Sequence, residues 1–216
     1  MHRYLDPASS LGEIMFGLIM TLTFTLGAGI VIEEEGREGA REMLIGLIGC
    51  NIAWGVIDAV MYIVNELFTR GKRRRIGEIV RRSKNEREGE RVIAGELDEM
   101  LGDVMTAPER ASLYTRIAHV VRTTPATPNG MTKADFMGAF WSFWLVVISS
   151  VPAAIPFLLI DDLSLALRVS NAVLLAILFI TGYHWARFTT GKPWVVGFTF
   201  LAGGIALVLM AIALGG

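Results

Sequence analysis

Five stretches of the chain carry almost no charge for about 20 residues or more, and the remaining charged residues are gathered between them. They run over 11–32, 43–68, 136–160, 163–188 and 193–214. A soluble domain interleaves apolar and polar positions at helical or strand period, whereas uninterrupted apolar runs of this length match helices that cross about 30 Å of hydrocarbon at roughly 1.5 Å per residue. The pattern therefore predicts an all-α membrane protein with five transmembrane helices. Asp6 and Glu13 stand where a signal peptide has its basic leader, and no small-residue cleavage site follows a short apolar core. The first span is expected to be retained.

Between the second and third spans, 70–133 has a different texture. Val92, Ile93, Leu97, Met100, Leu101 and Val104 recur at helical spacing opposite Glu96, Asp98, Glu99 and Asp103, which predicts amphipathic helices. Pro108 fits the first turn of a helix over 109–122, capped by Thr106 or Ala107, with Leu113, Ile117 and Val120 or Val121 on its apolar face. The Thr- and Pro-rich stretch 123–130 reads as a linker. The chain divides accordingly into 1–69 with the first two spans, a helical segment over 70–133, and 134–216 with the last three.

Charge adds an orientation. Hydrophobic residues make up 53% of the 216 positions and charged residues 19%, yet 14 of the 20 Lys and Arg lie in 70–133. Arg70, Lys72, Arg73, Arg74 and Arg75 come directly after the second span. Positive loops stay inside, so this segment and the N-terminus are expected in the cytoplasm and the C-terminus on the opposite side. Arg187 and Lys192 also fall inside, while Arg37 and Arg41 fall outside beside Glu33, Glu34, Glu35 and Glu38. The basic run suits anionic lipid headgroups, at about 1 kcal/mol per basic residue. Short loops and the lack of targeting signals point to a prokaryotic inner membrane. Cys50 is alone within a span, so no intrachain disulfide is expected. His2, His119 and His184 are scattered and form no zinc-type set. With no phosphate loop and no serine-hydrolase elbow, neither an enzyme, a resident cofactor nor a nucleic-acid partner is expected.

Candidate chemistry lies in polar groups that the bilayer makes expensive, at about 2.5–3.5 kcal/mol for an ionisable side chain at mid-span. Asp58 sits within the second span, Arg168 near the outer end of the fourth, and Glu13 at the inner boundary of the first. Asp58 reads either as a cation or proton site, with Asn51, Met61 and Tyr62 near its face, or as a carboxylate satisfied by a neighbouring hydroxyl or by Asn171. Arg168 reads as snorkelling to water or pairing with Asp161 or Asp162. Met15, Met20 and Met61 offer thioether ligands or plain packing. Glu96, Glu99 and Asp103, at i, i+3 and i+7, set three carboxylates on one predicted helix face, either to bind a divalent cation or to be solvated.

Leu5-Asp6-Pro7, then Gly12-Glu13-Ile14-Met15-Phe16-Gly17-Leu18 and Thr23-Phe24-Thr25-Leu26-Gly27-Ala28-Gly29, resemble the start of the vacuolar iron transporter family. The five-span layout, the charged segment after the second span, Pro152 and Pro156 in the third, and Gly197, Gly203, Gly204, Gly215 and Gly216 in or after the fifth resemble it too. The resemblance implies a homodimer with a pore between subunits and proton-coupled movement of Fe²⁺ or Mn²⁺ out of the cytosol. It also implies a cytoplasmic helical domain that gathers metal on Glu and Met side chains. Glu13 matches the family's glutamate before Phe-Gly, while the family's following aspartate falls at Met20 and the glycine after it at Thr21. In the second span the family's Met-Ala-x-Gly-Glu-Tyr pattern places Trp54 at the Met, Asp58 at the Glu and Ala59 at the Tyr. The implied metal residues are thus Glu13, Met20, Asp58 and Met61 in the membrane, and Glu96, Glu99, Met100 and Asp103 outside it. The missing acid at Met20 motivates an alternative, a non-transporting regulatory or scaffolding protein of the same fold.

Overall fold

A computed structural model describes residues 5–27, 29–125 and 130–213 of the chain, and these are helical with no strand among them. The helices are α1 (Pro7–Gly27), α2 (Gly29–Arg82), α3 (Glu86–Leu101), α4 (Ala107–Thr123), α5 (Lys133–Ser149), α6 (Val151–Leu159), α7 (Leu163–Trp185) and α8 (Pro193–Ala213), with a short 3₁₀ turn over Ala186–Phe188. They form two compact units, 1–63 with 133–216, and 64–132. Five segments are long and apolar enough to cross a membrane: Pro7–Leu26, Glu35–Arg82, Lys133–Leu159, Leu163–Phe188 and Pro193–Met210. The protein is an all-α, multi-pass membrane protein.

In the first unit, α1 begins where Asp6 accepts hydrogen bonds from the Ser9 backbone N–H and hydroxyl, at 3.0 and 2.5 Å, with Pro7 supplying the fixed φ of a first helical position. Leu18, Leu22 and Leu26 recur every fourth residue on α1 and are buried against Leu47 of α2, Ala153 of α6, and Leu174 and Leu178 of α7. Lipid tails are as apolar as leucine, so close approach of backbones, not the hydrophobic effect, holds such helices together. The α7–α8 contact shows this. A methyl group on Gly182, Gly197 or Gly204 would stand within 2.8 Å of Phe200, Phe179 or Leu178.

Three spans differ from their expected form. The first, expected over 11–32, runs over Pro7–Gly27, and Gly29 already belongs to α2. The third, expected to run unbroken over 136–160, is interrupted at Ser150 and divides into α5 and α6. Pro152 has no N–H to return to Ile148, and the Ser149 and Ser150 hydroxyls turn back onto the carbonyls of Val146 and Val147 at 2.6 and 2.7 Å. The second, expected over 43–68, is part of a much longer helix, α2, whose single interruption is Gly36 with φ 62 and ψ −129. Glu, Arg, Ala and Met are strong helix formers, so the charged residues flanking the apolar run change its solvent and not its backbone. Near Gly36, Arg37 pairs with Asp161 at 2.5 Å, which places this bend and the α6–α7 connection at one end of the bundle.

The second unit has its own core of Val80, Ile93, Tyr114 and Ala118, flanked by Ile76, Leu97 and Ile117. Asn85 caps α3 by accepting the Glu88 N–H at 2.9 Å, and Glu88 accepts the Lys84 N–H in return at 2.8 Å. Thr106 precedes α4, as its sequence suggests, and both its N–H and its hydroxyl donate to Glu109 at 2.8 and 2.6 Å. Arg122 closes the unit by donating to the carbonyls of Val80, Ser83 and Asn85. Residues 126–129 of the expected linker lie outside the described residues, as do His2, Ala28, Gly215, Gly216 and the end of the expected fifth span.

Candidate functional site

Glu13 stands on α1 two turns into the helix, and Asp58 stands on α2, which runs antiparallel to it. Their carboxyls come within hydrogen-bonding and Coulombic reach of each other. Ser142 of α5, fully buried, donates to Glu13 Oε1 at 2.8 Å. Asp58 Oδ2 is buried and receives no hydrogen bond from the described residues. Three helices thus deliver two acids and a hydroxyl to one place inside the bundle. Close packing makes this possible: a methyl group on Gly55 would stand 2.9 Å from the Phe143 ring, and one on Gly138 would stand 2.2 Å from the Tyr62 ring.

Of the partners expected for Asp58, Asn171 forms no hydrogen bond with it among the described residues, and Asn171 Oδ1 lies 2.8 Å from the Thr25 hydroxyl. The neighbouring hydroxyl, Ser142, goes to Glu13 instead. Asn51, buried on the same α2 face, bonds Thr21 through Nδ2 at 2.9 Å. Met61 is 48% exposed one turn from Asp58, Met20 is half-buried, and Met15 packs against the α1 core. Trp54 meets Phe16 edge to face, with centroids 5.6 Å apart, on the exposed side of the α1–α2 contact. Arg168 lies within electrostatic reach of Asp162. Ser142 and Asp135 do not stand out in the sequence, and Thr21 does so only as the position of a family glycine; Asp135 is 4% exposed in the first turn of α5. Spacing held a usable signal for Thr21: Glu13, Thr21 and Thr25 fall at multiples of four residues on α1.

In the second unit the predicted carboxylate face is shorter than expected. The α3 helix ends at Leu101, and Gly102 donates to the Asp98 carbonyl at 2.8 Å, so Asp103 follows in a turn and does not extend the face of Glu96 and Glu99. Glu96 forms an ion pair with Lys72 at 2.7 Å, and Glu99 and Met100 are exposed. Among the described residues, no group of three or more His, Cys, Asp or Glu side chains is gathered closely enough to hold a metal ion. At the site in the membrane unit, two acids come together among the described residues.

This fold and this pair define a class, a multi-pass helical membrane protein whose bundle encloses acidic groups drawn from separate spans. Residues 77–216 match the model of the VIT family. The match covers more than half of the chain, and the chain belongs to the vacuolar iron transporter family, whose members are membrane transporters of metal ions. No curated protein matches it. The match begins at Gly77, so Glu13 and Asp58 lie upstream of it and rest on their own geometry.

Proposed function

We propose that the protein carries Fe²⁺ or Mn²⁺ out of the cytosol, with Glu13 and Asp58 as its intramembrane ion and proton site. The observation that carries this reading is the meeting of two carboxyls from different spans, one of them with an oxygen that no described residue satisfies. Intramembrane acids are costly and mark ion or proton paths. Two carboxylates supply the charge that a divalent cation needs, and without a cation their mutual repulsion is relieved by binding a proton. The site therefore favours exchange, the metal ion displacing protons and protons displacing the ion. Carboxylate oxygens suit Mn²⁺ and Fe²⁺, and Met20 and Met61 would add softer thioether contacts.

The cytoplasmic face of this reading puts the N-terminus and residues 70–133 inside, with Arg70, Lys72, Arg73, Arg74 and Arg75 toward anionic lipid headgroups. Glu96, Glu99, Met100 and Asp103 would collect the ion there, and two copies of the chain would form the working unit. Uptake by inside-out proteoliposomes tests the core of it. Wild-type protein should accumulate Fe²⁺ or Mn²⁺, and Asp58→Asn and Glu13→Gln should each slow this at least tenfold. Variants as fast as wild type, or a wild type with no uptake, would overturn it.

One observation favours a non-transporting regulatory role for the second unit: Glu96 is already committed to Lys72, and no three-ligand set is present among the described residues. Titration of the intact protein with Mn²⁺ separates the two. Binding weakened by Glu99→Gln and Asp103→Asn supports metal gathering, and binding indifferent to them supports the regulatory role.

A further inference from the structure

The membrane unit carries a second polar tier beyond the carboxyl pair. Thr21 of α1 and Asn51 of α2 are buried, at 0% and 1% exposure, and they face each other eight residues along α1 from Glu13 and seven back along α2 from Asp58. The hydrogen bonds between them fix which way the amide points. Thr21 Oγ1 donates its only proton to the Gly17 carbonyl at 2.7 Å, so toward Asn51 it can only accept, and it accepts from Nδ2 at 2.9 Å. Asn51 Oδ1 is thereby turned away from Thr21. It is buried and receives no hydrogen bond from the described residues.

A buried amide oxygen with no donor is costly, and in native proteins such groups are met by another group or by water. A neutral amide and a neutral hydroxyl bring no charge to this level, which argues against a bare ion. A third tier follows one turn further on, where the Thr25 hydroxyl, with one proton to give, lies 2.8 Å from Asn171 Oδ1 of α7 and 3.0 Å from the Leu22 carbonyl. Glu13, Thr21 and Thr25 advance along α1 by multiples of four residues, a line that drifts by about 40° per four residues. This drift lets the line pass from α2 to α7. From Glu13 to Thr25 it covers about 18 Å of a hydrocarbon layer about 30 Å thick. Between the first two tiers sit Gly17 and Gly55, each packed closely against α5 at Val146 with Ser149 and at Phe143.

We propose that Asn51 and Thr21 form an internal water site. Its water lies next along the bundle from the Glu13–Asp58 pair and serves that pair as a source and sink of protons. The proposal rests on the transport reading for its purpose, but its occupant is water and is tested without transport.

Thiol reactivity provides the test, because a thiol must ionise to react with a methanethiosulfonate and does so only where water reaches it. In full-length protein with Cys50→Ala, Thr21→Cys and Asn51→Cys should each react with a small cationic methanethiosulfonate at least tenfold faster than Leu47→Cys, a buried position of the adjoining apolar core. Adding Asn51→Leu to Thr21→Cys should bring its rate down to that of Leu47→Cys. Equal rates at all three positions, or a Thr21→Cys rate unmoved by Asn51→Leu, would overturn the proposal. Asn51→Cys needs no double variant, so it still decides the matter if Asn51→Leu fails to elute as a folded species. Should uptake be absent while these rates hold, the transport reading falls and the water site stands. If Glu13- and Asp58-dependent uptake is present with uniform rates, the water site alone falls.

Discussion

Ser142 does for Glu13 what no charged partner does, since it brings a hydroxyl donor to Oε1 from a third helix at 2.8 Å. Hydrogen bonds to charged groups contribute about 1.5–3 kcal/mol, and about 1.4 kcal/mol corresponds to a tenfold change in an equilibrium constant. Ser142→Ala is therefore expected to shift the ion concentration for half-maximal uptake by about tenfold or more, while Ser142→Thr, which keeps the hydroxyl, should restore most of it. Initial rates against Mn²⁺ concentration measure both. The sequence made Asp58 and Glu13 legible as candidates because a lone acid in an apolar run is conspicuous. Ser142 was not legible, because a serine in a span is common and its value depends on which helix it faces. Asn51 was noticed only as a neighbour of Asp58, and its pairing with Thr21 depends on an antiparallel register that periodicity cannot supply.

Where α1 crosses α5, the determining residue has no side chain at all. A methyl group on Gly17 would stand 2.0 Å from Ser149 Oγ and 2.9 Å from the Val146 carbonyl, and the second of these is backbone and cannot swing away. Overpacking of this kind costs about 1–3 kcal/mol. Gly17→Ala should lower the thermal midpoint of the detergent-solubilised protein, and Ser149→Ala in the same chain should recover only part of the loss. The α4 helix offers a pH-dependent counterpart. The Thr106 hydroxyl and N–H hold the Glu109 carboxyl below the ordinary carboxylate range. A group depressed in this way stabilises the folded form above its unfolded pKa and loses that effect as pH falls through its lower folded value. Amides at the start of α4 should therefore lose protection, measured against their intrinsic exchange rate at each pH, below about pH 4, and Glu109→Gln should abolish that dependence. Pro108 narrows the cap to Thr106 or Ala107, of which Thr106 is the one that holds it, whereas the extent of α2 is not legible. A change from apolar to charged residues looks like the end of a helix when only hydropathy is followed, although helix-forming residues continue through it.

The two units bury separate sets of side chains, with Leu18, Leu22, Leu47, Leu174 and Leu178 in one and Val80, Ile93, Tyr114 and Ala118 in the other. Charge alone sets off a segment that begins near Arg70, where the basic run starts. The contacts place the division between Ile63 and Val64, inside α2, because compactness follows packing partners and not the composition of one helix. Separate cores predict separate responses to damage, even though one helix contributes to both. Ile93 is 5% exposed and sits at the centre of the smaller core. Truncating a buried isoleucine to alanine costs about 2–5 kcal/mol, a large part of what a unit of this size can muster. Ile93→Ala should therefore strip hydrogen-exchange protection from α3 and α4 while α7 keeps the protection it has in wild-type protein. Exchange measured by mass spectrometry on the intact chain reads both regions at once. Equal loss in α7 would mean that the units unfold together and that α2 transmits the damage from one core to the other.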